Sequence, residues 1–138
     1  MFDQCIYFNT AALARTLERE WATAFKPLGL APAQGFMLRA ILKKPGMLQS
    51  ELASALAISR PTATRALDSL VAKQMIERHP TGEDGRQVAI HPTRKAIAIA
   101  TQLDEASAKV TDRLKKKLGD SNFQTMVAGV RDIRSALE

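Results

Sequence analysis

A single cysteine, Cys5, stands in 138 residues. No internal disulfide framework can form, and the chain reads as one made for a reducing compartment. Apolar runs are short, and none approaches the roughly 20 residues that a bilayer span needs. The opening Met1-Phe2-Asp3 carries an acid and none of the marks of a secretory signal or lipidation site. The expectation is therefore a cytoplasmic protein with no membrane attachment. Catalytic chemistry is equally scarce. There is no glycine-rich phosphate loop and no dinucleotide fingerprint, and the acids are scattered rather than paired. The only histidines, His79 and His91, have no cysteine beside them, so a transition metal would need ligands from outside. The chain is expected not to be an enzyme and to use neither a metal nor a cofactor.

What the sequence does have is positive charge in one place. The formal charge is +6 with a pI near 9.8, which suits a polyanionic partner. Between Lys43 and Lys95 stand nine lysines and arginines against five acids, a surplus of four in well under half of the chain.

That basic segment has a legible order. Gln49 to Ile58 places Leu52, Ala53 and Leu56 on one face of a short helix. Ser59-Arg60-Pro61 restarts the chain: Ser59 can cap the next helix, and Pro61 sits in the first turn, where its missing N–H costs nothing. The second helix turns Ala63, Leu67, Leu70 and Val71 inward, leaving Arg60, Pro61, Thr64, Arg65 and Asp68 outside. Met75 to His79 and Gln87 to His91 are β-prone runs flanking Pro80 to Arg86, a loop dense in turn formers. A helix-turn-helix followed at once by a hairpin with a basic tip is a winged helix.

The flanks are helical. Leu13, Leu17, Trp21, Ala24, Phe25 and Leu28 form a stripe ending at Pro27-Leu28-Gly29. Pro32 opens a helix with Phe36, Met37, Ile41 and Leu42 inward, stopped by Pro45-Gly46. From Ala96 to Leu118, a seam of Ala100, Leu103, Ser107, Val110 and Leu114 recurs in steps of three and four. Lys115-Lys116-Lys117 then suits a solvated helix terminus before Gly119. The last helix, Ser121 to Leu137, carries Phe123, Met126, Val127, Val130, Ile133 and Leu137 on one face. So narrow a stripe cannot close a core alone and suits a second subunit. The fold expected is mainly α with a small β-hairpin in a single domain, 1–138. A winged helix-turn-helix lobe (31–93) is flanked by dimerisation helices at 1–30 and 94–138.

The stretch from Glu51 through Ser59-Arg60-Pro61-Thr62-Ala63-Thr64-Arg65 to Arg78 resembles the DNA-binding core of the MarR-type (multiple antibiotic resistance regulator) bacterial transcription regulators. Asp84-Gly85-Arg86 is similar to the acidic-x-arginine signature at their wing tip. The resemblance covers nearly the whole chain. It implies a homodimer on a pseudo-palindromic operator in double-stranded DNA, a repressor released by a small aromatic or phenolic ligand. It also implies that Arg86, steadied by Asp84, enters the minor groove. Departures occur at Leu48, where the family usually has a Thr or Ser cap, and at Pro92-Thr93 and Ala96, where it usually has Leu-Thr and a later glycine. Local capping and the hinge into the following helix are where the resemblance predicts least.

The DNA-contacting set is thus Ser59, Arg60, Pro61, Thr62, Thr64 and Arg65, with Asp84 and Arg86 at the wing. Each has an ordinary alternative as a cap or solvent-facing residue. A ligand crevice would be lined by Phe8, Trp21, Phe36 and Met37, for which a plain core role is the alternative. Cys5 reads as buried and inert. Oxidant sensing through it is the rival function, but a reactive thiol needs nearby positive charge and Asp3 supplies the opposite. A second rival, a winged-helix module that binds protein, fits poorly with basic exposure, since protein interface centres are depleted in charge.

Overall fold

A computed structural model describes residues 1–138. The chain forms six α-helices and a three-stranded antiparallel sheet. Helix α1 (Ile6–Phe25) runs into a 3₁₀ turn (Lys26–Leu28) that Gly29 ends in the left-handed conformation, φ 71°. Helix α2 (Pro32–Lys43) follows, then strand β1 (Met47–Leu48), helix α3 (Gln49–Ala55) and helix α4 (Arg60–Ala72). Strands β2 (Ile76–Thr81) and β3 (Gln87–Pro92) form the hairpin, and helices α5 (Arg94–Leu118) and α6 (Asp120–Leu137) complete the chain.

The core lies between α2, α3, α4 and the base of the sheet, closed by the end of α1 and the start of α5. Phe25, Met37, Leu38, Ile41, Leu52, Leu67, Leu70, Ile90 and Leu103 are all fully buried. Gly35 lets α2 approach α1: a Cβ there would stand 2.3 Å from the Phe25 ring. The seam on α5 holds, with Leu103, Ser107 and Val110 buried.

The structure corrects several expectations. The sheet has a third strand: β1 pairs with β3, Met47 opposite Ile90 and Leu48 opposite Ala89. The hairpin is longer than the sequence suggests, with Pro80 and Thr81 inside β2. Proline is tolerated there because β2 is an edge strand. Val71 is 40% exposed and Phe36 38%, although both were placed inward. Val71 lies on the border of the buried stripe, and on α2 the fully buried residues are Met37, Leu38 and Ile41. On α1, Leu13 is exposed, so only the second half of that helix faces the core.

The two departures at helix starts have local remedies. Leu48 offers no side-chain cap, but the Glu51 carboxylate accepts its N–H at 3.1 Å. At the other end of the lobe, Thr93 caps α5 by accepting from the Ala96 N–H at 3.3 Å. Its hydroxyl also donates to the Gln74 carbonyl at 2.7 Å. The junction is thereby fastened to the turn after α4.

Candidate nucleic-acid interface

Helix α4 begins as its sequence dictates. Ser59 has extended backbone and its Oγ accepts from the Thr62 N–H at 3.3 Å, while Pro61 occupies the first turn. One face buries Ala63, Ala66, Leu67 and Leu70, and α3 packs against it. The opposite face sets Arg60, Pro61, Arg65 and Asp68 in solvent. Thr62 and Thr64 lie half-buried at the margin. The Thr62 hydroxyl meets Ser59 Oγ at 2.9 Å and accepts from Arg65 at 3.4 Å. Thr64 donates to the Arg60 carbonyl at 3.0 Å and accepts from Gln49 Nε2 at 3.1 Å. At the far end Arg78 of β2 pairs with Asp68 at 2.6 Å, which ties the wing to α4 and occupies a cation the sequence left free.

The wing tip turns on Gly82 and Gly85, both with positive φ (88° and 67°), a region open to glycine at little cost. Asp84 folds back on the residue two ahead: its Oδ1 accepts the Arg86 N–H at 3.2 Å, and its Oδ2 stands 3.2 Å from Arg86 Nε. The Arg86 side chain is 85% exposed. In such solvent the pair adds little stability. Arg60 and Arg86 line one groove between α4 and the wing, together with Gln49, Ser50, Thr64 and Gln87. Gln49, Ser50 and Gln87 were missed in the sequence. Their only signal was adjacency to the motif: Gln49 and Ser50 open its first helix and Gln87 follows the wing arginine.

The four candidates for a ligand crevice are not brought together. Trp21 and Phe36 do line an open cleft between α1 and α2, with Leu17, Pro32 and Ala33, their rings 6.2 Å apart. Met37, about 100° around α2 from Phe36, is fully buried in the core and does not line that cleft. Phe8 is exposed and packs on Phe2 with 5.7 Å between ring centroids. Beside the cleft lies a junction the sequence did not reveal. The buried Ser107 Oγ accepts from Trp21 Nε1 and from Arg39, both at 3.0 Å, and Arg39 pairs with Asp104 at 2.8 Å. Helices α1, α2 and α5 meet there.

Cys5 is exposed rather than buried. It caps α1, its Sγ accepting from the Phe8 N–H at 3.5 Å, because α1 starts only at Ile6 and nothing covers its first turn. His79 and His91 stack at 4.7 Å, and Glu77 lies 3.2 Å from His79 Nε2. They share the outer face of the hairpin, as the register of Glu77 opposite His91 requires.

Comparison with known proteins gives a consistent picture. A family model described as "MarR family" matches residues 28–87, the span from the end of the 3₁₀ turn to the start of β3. A putative transcriptional regulatory protein for the hcr operon of Thauera aromatica is 25% identical over 99 residues. That match covers 72% of this chain but only 60% of the relative's length. An uncharacterised HTH-type transcriptional regulator, YybA, of Bacillus subtilis is 25% identical over 91% of this chain and 84% of its own. Among solved structures, the transcriptional repressor CouR bound to a 23-mer DNA duplex superposes with a TM-score of 0.86. It has 24% identity and covers 95% of this chain and 93% of that one.

Proposed function

We propose that this chain, a MarR-type winged-helix transcription regulator rather than an enzyme, acts as a homodimer on a pseudo-palindromic site in double-stranded DNA. The observation that carries the reading is the pairing of two exposed basic elements on one side of the lobe. The N-terminal half of α4 presents Arg60, Pro61 and Arg65, and the wing presents Arg86 on a fixed Asp84. In this reading α4 enters the major groove, with Ser59 and Thr62 near phosphates and Thr64 at the base edges. Arg86 reaches into the flanking minor groove, where an arginine senses width and A·T content. That CouR is bound to a duplex in a fold this similar supports the docking.

The homodimer rests on apolar surface at the two ends of the chain. Met126, Val127, Val130, Ile133 and Leu137 of α6 are exposed, as are Ile6, Tyr7, Phe8 and Leu13 of α1. Surface of that kind marks an interaction site, and a two-fold pairing of the same elements would set two α4 helices for two half-sites. The output is read as repression relieved by a small aromatic ligand, for which the Trp21–Phe36 cleft is the seat. Cys5, exposed in the single chain beside the α1 surface assigned to the dimer, offers one alternative input, oxidation of its thiol. In that case peroxide should weaken DNA binding by the native chain and leave Cys5→Ser unaffected.

The decisive experiment is binding to a duplex selected from random-sequence DNA, measured across salt. A dimer neutralising about 6–10 phosphates should lose roughly a thousandfold or more in affinity between about 50 and 200 mM salt. A flat response, or failure to select any sequence, would overturn the DNA-binding role.

A further inference from the structure

We infer that Gln49 is a positioning residue that turns Thr64 into a reader of the thymine methyl group. The inference rests on the DNA-binding reading above. A threonine at a groove can offer three things to a base: a hydroxyl proton, hydroxyl lone pairs, or its methyl. In Thr64 the proton goes to the Arg60 carbonyl at 3.0 Å. With its proton so used, the oxygen can only accept from Gln49, and it does, from Nε2 at 3.1 Å. The side chain therefore has no donor left for guanine N7 and O6, adenine N7 or thymine O4. One of its two lone pairs is occupied as well. The methyl is the part that no internal hydrogen bond commits, on a residue that lines the groove between α4 and the wing.

Gln49 is placed for this task by the start of α3. It is the first residue of that helix, and the neighbouring Glu51 already satisfies the Leu48 N–H, so the Gln49 amide is left to cross to α4. The two residues are 15 apart in sequence, and their bond joins the two helices of the helix-turn-helix at its DNA-facing margin. Both hydrogen bonds hold the hydroxyl in one orientation, and with it the methyl, before any DNA arrives.

The test uses the full chain and the duplex recovered by selection, with each thymine replaced in turn by deoxyuridine, which removes only the C5 methyl. At one position in each half-site the native protein should bind about fourfold more weakly, the equivalent of the ~0.8 kcal/mol of one buried methyl-sized group. Thr64→Ser, which keeps the hydroxyl and drops the methyl, should abolish that difference. Thr64→Val, which keeps a methyl but drops the hydroxyl that Gln49 and the Arg60 carbonyl hold, should lower the thymine-to-deoxyuridine ratio. Gln49→Ala should reduce the thymine-to-deoxyuridine ratio, a readout that a purely structural role would not move. Urea unfolding of each variant confirms that the fold is retained. The inference falls if no thymine position responds, if Thr64→Ser leaves the response unchanged, or if Gln49→Ala leaves the thymine-to-deoxyuridine ratio at the native value. A protein that selects no duplex at all overturns both the inference and the DNA-binding role. One that selects a duplex but ignores the methyl overturns only the inference.

Discussion

The middle of the chain and its two ends handle apolar surface in opposite ways. From Phe25 to Leu103 one contiguous cluster of 16 buried residues closes on itself. Beyond it, α6 has no buried residue at all, and its apolar stripe from Met126 to Leu137 stays in solvent. The first half of α1 behaves likewise, with Ile6, Tyr7, Phe8 and Leu13 exposed. The core around the lobe thus closes within one chain, with Phe25 of α1 and Ala96 and Leu103 of α5 completing it, whereas the outer parts of the ends carry surface that one chain does not cover. If the proposed dimer uses that uncovered surface, a substitution there should leave the stability of the core nearly untouched, and the reverse.

The sharpest way to break that contrast is Ile133→Glu. A charge on the α6 stripe should convert a dimer to a monomer in sedimentation while the lobe keeps its unfolding transition. With one half-site lost, affinity for a two-half-site duplex should drop by about a hundredfold or more. A variant that still sediments as a dimer would place the interface elsewhere. The converse change is Leu67→Ala in the closed core, expected to cost about 2–5 kcal/mol in urea unfolding with the dimer contact intact. Arg86→Ala should leave both fold and association alone and weaken the selected site by about three- to tenfold, with preference at the major-groove positions largely spared. Asp84→Ala should follow it part of the way, since the aspartate only directs the guanidinium. Smallest of all, Val71→Ala should change stability by no more than about 0.5 kcal/mol, because that side chain sits at the exposed border of α4. A loss as large as that of Leu67→Ala would mean that something covers Val71 in the assembled protein.

The residues of α4 show how far local sequence carries. Ser59 and Pro61 mark where the helix starts, because a cap and a first-turn proline act on the backbone within three residues. The step of three and four on α5 picks out Leu103, Ser107 and Val110 correctly, since α1 and α2 pack along that seam. Asp84 and Arg86, two apart, find each other for the same local reason. The ligand-crevice residues fared differently. Trp21 and Phe36 meet, but Met37, the next residue along α2, turns into the core and Phe8 lies at the far end of α1, facts that depend on how helices cross.

Sequence alone therefore determined the order of the helices and the hairpin, the start of α4 and the presence of a glycine-bearing turn in the wing. Each follows from dihedral preference, capping or periodicity acting over a few residues. Only the tertiary structure decided that a two-residue β1 joins the hairpin, since a strand so short has no periodicity to detect. The same holds for the exposure of Cys5, Phe36 and Val71, because a helical period gives relative orientation on a cylinder and not which sector a neighbour will cover. It holds most of all for Ser107 between Trp21 and Arg39, and for Gln49 on Thr64. Those are hydrogen bonds between side chains 15 to 86 residues apart, and no local rule specifies them until the helices have packed.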